Sequence, residues 1–230
     1  KDKQAGMPAK KALNNERDRN LTPDKAENLL TGLRKKSKRL HDISLLSLHT
    51  GMRASEVFSL TWDCIDFNRG TIRLLDTKTR SPRTVPLTST ASVMLRERKK
   101  AANKSMRQIK TDIKIDPKLQ TEASGLKLKA IESFVFPARE GKQSQWVSKT
   151  FRAVVTDLKL NEGIADRRKR VVFHSLRHSC ASFLVQSGVP IYTVAEILGH
   201  SSLDMTKRYA HLDDEHKKQS ISAVELALSK

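Results

Sequence analysis

Seven residues carry side chains that can act together on a phosphodiester. Three lie in the segment His174-Ser175-Leu176-Arg177-His178, namely His174, Arg177 and His178. His200 follows in Leu198-Gly199-His200, and Tyr209 comes last. Arg53 and Lys78 stand upstream. A phenol can attack phosphorus, and guanidinium and imidazolium groups can stabilise the charge that develops there. Cationic neighbours such as Arg208 and His211 lower a phenol's pKa, which suits a nucleophile. The chain is also strongly basic, with 44 Lys plus Arg against 25 Asp plus Glu and a net charge of +19. Its pI of about 10.2 is the electrostatic footprint of a nucleic-acid binder. The combined reading is DNA strand transfer through a phosphotyrosine.

Taken singly, each residue has a plainer explanation. Spacings of three and four place His174, Arg177 and His178 on one helix face, opposite a core stripe of Leu176, Cys180, Phe183 and Leu184. A helix starting near His174 would offer free N–H groups to a phosphate. The two histidines would serve equally as zinc ligands, although Ser175 stands where a metalloprotease needs Glu, or as satisfied core histidines. Arg53 follows Gly51 at a helix start and makes an ordinary i,i+3 pair with Glu56. Lys78 alone is a turn lysine. Of the two tyrosines, Tyr192 sits among Ile191, Val194 and Ile197 and reads as core. Tyr209, in the last turn of a helix, is then the candidate nucleophile. The segment from Ile191 to His211 is helix-turn-helix-like, but its second helix suits a carrier of Tyr209 better than a groove reader.

The elements that must position these groups follow from local signals. A chain of 230 residues suits one medium domain with tails. It can bury a core without metal or disulfide staples. Cys64 and Cys180 lack CxxC spacing and read as buried thiols in a reducing compartment, with no metal or cofactor implied. No apolar run approaches the ~18 residues of a membrane span, and no signal peptide is visible. Residues 1–20 are polar and read as a linker or flexible tail. Because the chain opens on Lys1, it reads as part of something longer.

Thr22-Pro23-Asp24 is a helix start. A second helix ends at Gly51, a natural left-handed cap, and a short one spans about Arg53 to Leu60. Cys64–Phe67, Thr71–Leu75 and Arg83–Leu87 read as three antiparallel strands. From Arg96 to Lys118 there are nine basic and three acidic residues, favouring a solvated helix extension over a DNA-facing insertion. Further helices are expected at Gln145–Leu158, His174–Gln186, Ile191–Leu198, Leu203–Ala210 and Asp213–Leu228. The expected fold is α+β, mostly helical, with a small three-stranded antiparallel sheet.

In order along the chain, Thr50-Gly51-Met52-Arg53-Ala54-Ser55-Glu56, Thr77-Lys78-Thr79 with Val85-Pro86-Leu87, the His174 motif, Leu198-Gly199-His200-Ser201 and Tyr209-Ala210-His211 resemble the tyrosine recombinases, or phage-type integrases. The likeness covers about Leu21 to His211. Ser175 stands where many members have Asp and others Ser. The resemblance implies a catalytic domain over 21–212. It implies that Tyr209 attacks the scissile phosphate to leave a 3′-phosphotyrosine and a 5′-hydroxyl. By the same likeness Arg53 and Arg177 clamp the non-bridging oxygens, and Lys78 protonates the leaving oxygen. His174 accepts the phenolic proton, His200 supports the pentacoordinate phosphate, and Glu56 with His178 supports these groups. Arg80, Arg83, Lys207 and Arg208 are the cations expected against DNA. No metal, cofactor or ATP is called for.

The implied partner is double-stranded DNA, bound by four protomers during recombination; without DNA the expected state is a monomer. The implied setting is a cytoplasmic, nucleoid-associated protein of a bacterium or phage. The segment 213–230, with an apolar stripe of Ile221, Val224 and Leu228, either packs on its own domain or docks on a neighbouring protomer. Two other functions fit part of the pattern. A non-catalytic helix-turn-helix regulator accounts for the charge but not for Arg53, Lys78, Arg177 and Tyr209 together. A type IB topoisomerase-like relaxing enzyme shares the chemistry.

Overall fold

The structure is a computed structural model that describes residues 19–74, 82–138 and 149–213. The first helix, α1 (Pro23–Lys36), opens as the sequence predicts, with Pro23 in its first turn and the Thr22 hydroxyl accepting from the Lys25 N–H at 3.4 Å. One residue, Ser37, separates it from α2 (Lys38–Thr50). Ser37 ends the first helix through its N–H and starts the second through its hydroxyl, which receives the Leu40 N–H at 3.3 Å. Leu29, Leu33, Leu40, Ile43 and Leu46 from this hairpin enter the main core. Gly51 then closes α2 with φ of 65°, a conformation that disfavours any residue with a Cβ.

A short helix, α3 (Ala54–Phe58), leads to the sheet, β1 (Ile65–Asp66), β2 (Thr71–Leu74) and β3 (Arg83–Pro86). The strands are antiparallel in the order β1-β2-β3, with Ile65 opposite Ile72 and Ile72 opposite Val85. That alternation buries Ile65, Ile72 and Val85 on one face. The Asp66 carboxylate accepts the N–H groups of Asn68 and Arg69, both at 2.9 Å, and forms the first turn.

Next comes α4 (Ser89–Ile115), a helix of 27 residues that buries only Ala91, Met94 and Leu95. Its basic remainder is a largely exposed continuation of the helix, which fits a solvated extension and a DNA-facing one alike. Arg98 ties it back to α2 through the buried carboxylate of Asp42 at 2.9 Å. The sequence reading misses α5 (Glu122–Ser133), which has weak periodicity and buries little beyond Ala130. Its partner is α4, bridged by Lys110 and Glu132 at 3.2 Å. The expected helix at Gln145–Leu158 is described as α6 (Lys149–Asp157), and its first residues lie outside the described ones.

Two helices match their expected bounds, α7 (His174–Gln186) and α8 (Ile191–Leu198). In α7 the expected division into polar and apolar faces is corrected. Ser175 to Ser182 are all buried, because the helix packs on α2 and is covered on its other sides too. Leu203–Ala210 is not one helix: α9 (Asp204–Lys207) is a single turn, and Tyr209 lies in the turn after it, before a 3₁₀ turn at Ala210–Asp213. Tyr192 is corrected as well. It is 66% exposed, because α8 turns Val194, Ala195 and Leu198 inward instead. The buried tyrosine is Tyr209, 6% exposed, in a second core with Ala181, Val185, Val194 and Leu198. The expected helix beyond Asp213 lies outside the described residues. Among the described residues, no helix is long and apolar enough to cross a membrane.

Candidate active site

Two glycine-capped helix ends build the site. The last carbonyls of a helix have no intrahelical partner and form the negative end of its dipole, so they attract cations. Here they receive arginines. At the end of α2, the Gly51 carbonyl accepts from Arg177 Nη1 at 2.6 Å. At the end of α8, closed by Gly199 with φ of 63°, the Leu198 and Gly199 carbonyls accept from Arg53 at 3.5 and 3.2 Å. The Ile197 carbonyl accepts from Arg83 Nε at 3.2 Å. The two ends also touch. A Cβ on Gly51 would lie 2.4 Å from Leu198 Cδ2, and one on Gly199 would lie 2.6 Å from the Arg83 guanidinium. Glycine at both positions therefore serves close approach as well as backbone conformation.

Glu56 organises the cations. It accepts the Arg53 backbone N–H at 2.7 Å and Arg53 Nη1 at 3.1 Å. It also takes both terminal nitrogens of Arg83 at 2.9 Å, a bidentate fork. Burial alone would raise its pKa, but the Arg83 bond and charge, then Arg53, hold the carboxyl below its ordinary value. The sequence reading assigns Arg83 to DNA. In the structure its guanidinium faces inward onto Glu56 and Ile197, with only 13% of the side chain exposed. That role was hard to read because Arg83 and Glu56 are 27 residues apart.

Arg177 is 3% exposed. Its Nη2 is buried without a hydrogen-bond partner, although such donors are almost always satisfied. Burial, then the charges of Arg53 and Arg83, lower its pKa to about 9. His178 and Tyr209 meet beside it, with Nδ1 and the phenolic oxygen 2.5 Å apart. The sequence reading gives the phenolic proton to His174. The ring bonded to the phenol belongs to His178, while His174 is exposed and packs edge-on against His178 at 4.7 Å between centroids. The expected free N–H groups at the start of α7 are partly taken, since Ser175 and Leu176 donate to Val172 and Phe173 at 2.9 and 3.1 Å.

His200 Nδ1 meets the buried hydroxyl of Thr206 at 2.6 Å. Thr206 is a site residue that the sequence reading omits. With the hydroxyl as donor, Nδ1 is the acceptor and the proton sits on Nε2, which can donate outward. Lys207 is exposed and pairs with Asp204 at 2.7 Å, and Arg208 adds its charge to those felt by His178 and His200. Lys78 and Arg80 lie outside the described residues. Among the described residues, no group of His, Cys, Asp and Glu could hold a metal ion.

Burial first, and then nearby cations, push His178 and His200 down to about 3 each. For His178 the other causes are His174, Arg208, Arg177 and His200; for His200 they are Arg177, Arg53, Arg208 and Arg83. Both rings are therefore neutral at physiological pH. When the chain unfolds, each regains an ordinary pKa near 6.5, so the unfolded state binds more protons between these limits. Stability is full above pH 6.5 and lost as pH falls toward 3, with about two protons taken up from these groups on unfolding. Thermal midpoints measured from pH 7 to pH 4 are expected to fall along this course; a flat profile would contradict the assignment.

A family model described as the phage integrase family matches residues 19–216. The integrase of Salmonella phage P22 is 30% identical over 204 residues, covering 88% of this chain and 46% of that protein. Tyrosine recombinase XerC of Pediococcus pentosaceus is 31% identical over 188 residues, covering 80% of this chain and 54% of that protein. The chain thus spans about half the length of these relatives. Among solved structures, the catalytic domain of bacteriophage HP1 integrase superposes with a TM-score of 0.58 at 23% identity, covering 89% of this chain and 94% of that one. The Tn1549 transposon integrase in complex with transposon right end DNA gives 0.65 at 20%, covering 92% and 67%. At these identities the structural likeness speaks for the fold. The family model spans every described element and the whole arginine, histidine and tyrosine cluster, and the chain belongs to the phage integrase family.

Proposed function

We propose that the chain is the catalytic part of a site-specific DNA recombinase that cuts and rejoins strands through a 3′-phosphotyrosine. The observation that carries this is the buried Arg177, whose Nη2 has no partner and whose neighbours are two more arginines and a buried phenol. A fixed cation with an unsatisfied donor costs stability, and a phosphate oxygen supplies the missing acceptor.

In this reading the Tyr209 oxygen attacks phosphorus and the P–O5′ bond breaks. Arg177 Nη2 and Arg53 hold the non-bridging oxygens, and His200 Nε2–H donates to the same phosphoryl group. Lys78 protonates the leaving oxygen. His174, at the exposed mouth, takes the phenolic proton, and Glu56 keeps Arg53 aimed. The phosphotyrosine preserves the bond energy, so a 5′-hydroxyl reverses the step without ATP. Arg53, Arg177 and Lys78 supply positive charge of the kind two metal ions supply in other phosphoryl-transfer sites. Exchange between two duplexes calls for four protomers, and in this reading Lys207 and Arg208 contact the DNA backbone.

The test is a nicked suicide duplex drawn from DNA flanking the gene, incubated with chelator. A covalent protein–DNA adduct with a free 5′-hydroxyl is expected, and none with Tyr209→Phe. DNA binding without adduct on a verified site would favour a regulator. Relaxation of supercoils without exchange would favour a topoisomerase-like enzyme.

A further inference from the structure

We propose that His178 is the positioning residue for the Tyr209 nucleophile, holding the phenolic oxygen in the site through its Nδ1. The inference rests on the phosphotyrosine reading above. Three features of the structure carry it. The contact is short, at 2.5 Å, and both partners are buried, His178 at 7% and Tyr209 at 6% exposure. His178 sits one residue after Arg177 on α7, a helix held on nearly all sides. Tyr209, by contrast, stands in a turn between a one-turn helix and a 3₁₀ turn. Through His178 the buried helix thus reaches a nucleophile carried by short elements.

The same helix carries the phosphate-binding guanidinium. The distance from phenol to phosphorus is then set within α7, from Arg177 to His178 to Tyr209. A neutral imidazole suits this task, because its acceptor nitrogen stays available while the phenol keeps its proton. The bond orients the oxygen in the resting site; on attack the O–H turns from Nδ1 toward His174, which takes the proton, and His178 stays neutral. Misplacing a reacting atom by about 1 Å can cost ~10²-fold in rate.

The experiment uses the whole chain carrying His178→Phe or His178→Asn. Phenylalanine fills the ring's space without an acceptor. Asparagine places an amide group near the position of Nδ1. The first readout needs no DNA: ¹³Cζ-tyrosine NMR gives two signals, with exposed Tyr192 as internal control. His178→Phe is expected to move the Tyr209 signal and leave Tyr192 in place, with His178→Asn close to wild type. The second readout is single-turnover adduct formation on the suicide duplex. His178→Phe is expected to lower its rate ~10²-fold with DNA affinity unchanged, and His178→Asn to recover most of it. A His178→Phe protein that cuts at the wild-type rate would overturn the proposal. So would an Asn variant no better than Phe, or a rate loss matched by lost DNA affinity or lost thermal stability. If wild type itself forms no adduct, the phosphotyrosine reading fails, and the NMR comparison still decides whether His178 holds the phenol.

Discussion

Glu56→Ala is expected to destabilise the protein by about 3–5 kcal/mol, the cost of leaving buried charges without their partner. The carboxylate joins Arg53 and Arg83, both largely buried, and reaches each guanidinium as well as the Arg53 backbone. Without it, Arg53, Arg83 and Arg177 repel one another around the ends of α2 and α8. Because the Glu56 pKa is depressed in the folded state, its contribution is complete above the ordinary carboxylate range. It is lost as pH falls through the folded value. The thermal midpoint should drop by about 10 °C at neutral pH, and Glu56→Gln should fall between, since the amide keeps one acceptor. Thermal denaturation of the three proteins checks this. A loss below ~1 kcal/mol, typical of an exposed pair, would show that Glu56 does not organise the cluster.

Arg177→Met should do the opposite to stability while abolishing most activity. The folded-state pKa of Arg177, about 9 and well below the ordinary arginine value because of burial and the charge of Arg53, means that the charged form is disfavoured by folding. In sign, the unfolded chain holds this proton more tightly, so the charged residue costs stability at all pH values below about 9. Methionine keeps much of the volume, removes the repulsion from Arg53 and Arg83, and gives up one hydrogen bond to Gly51, worth about 1 kcal/mol. The melting temperature should therefore hold or rise. Transition-state stabilisation should fall by roughly 3–4 kcal/mol, the usual loss of one such donor. Binding sites are often strained in this way at the expense of stability. A variant that melts well below wild type would mean that Arg177 is a structural cation. One that still cuts DNA would remove it from the chemistry.

Much of this site was legible because its chemistry needs particular side chains. Arginine, histidine and tyrosine at set spacings stand out against any background, and Gly51 announces a helix end, while its close approach to Leu198 shows only in the fold. The directions of side chains were less legible. Arg83 sits on a strand among basic residues, and only the fold brings it to Glu56. Tyr192 has apolar neighbours in sequence, yet α8 turns it outward and spends its buried face on Val194 and Leu198. Tyr209 has polar neighbours, yet it fills the second core. The serines of α7 mimic an exposed face although Ser175, Ser179 and Ser182 are buried. Ser179 takes the Leu21 N–H at 2.7 Å and donates to the Ser175 carbonyl at 2.8 Å, partners that local pattern does not reveal. Thr206 looked like any small polar residue until the fold set it against His200.

The measurement that reaches the central claim most directly is the identity of the atom joined to DNA. The denatured adduct from the suicide duplex would be digested with protease and nuclease, and the residual nucleotide located by mass spectrometry. The account predicts a nucleotide 3′-phosphate on the peptide that contains Tyr209, and no adduct from Tyr209→Phe. A nucleotide on Tyr192, on a serine or on a histidine, or an adduct that persists in the Phe variant, would contradict it.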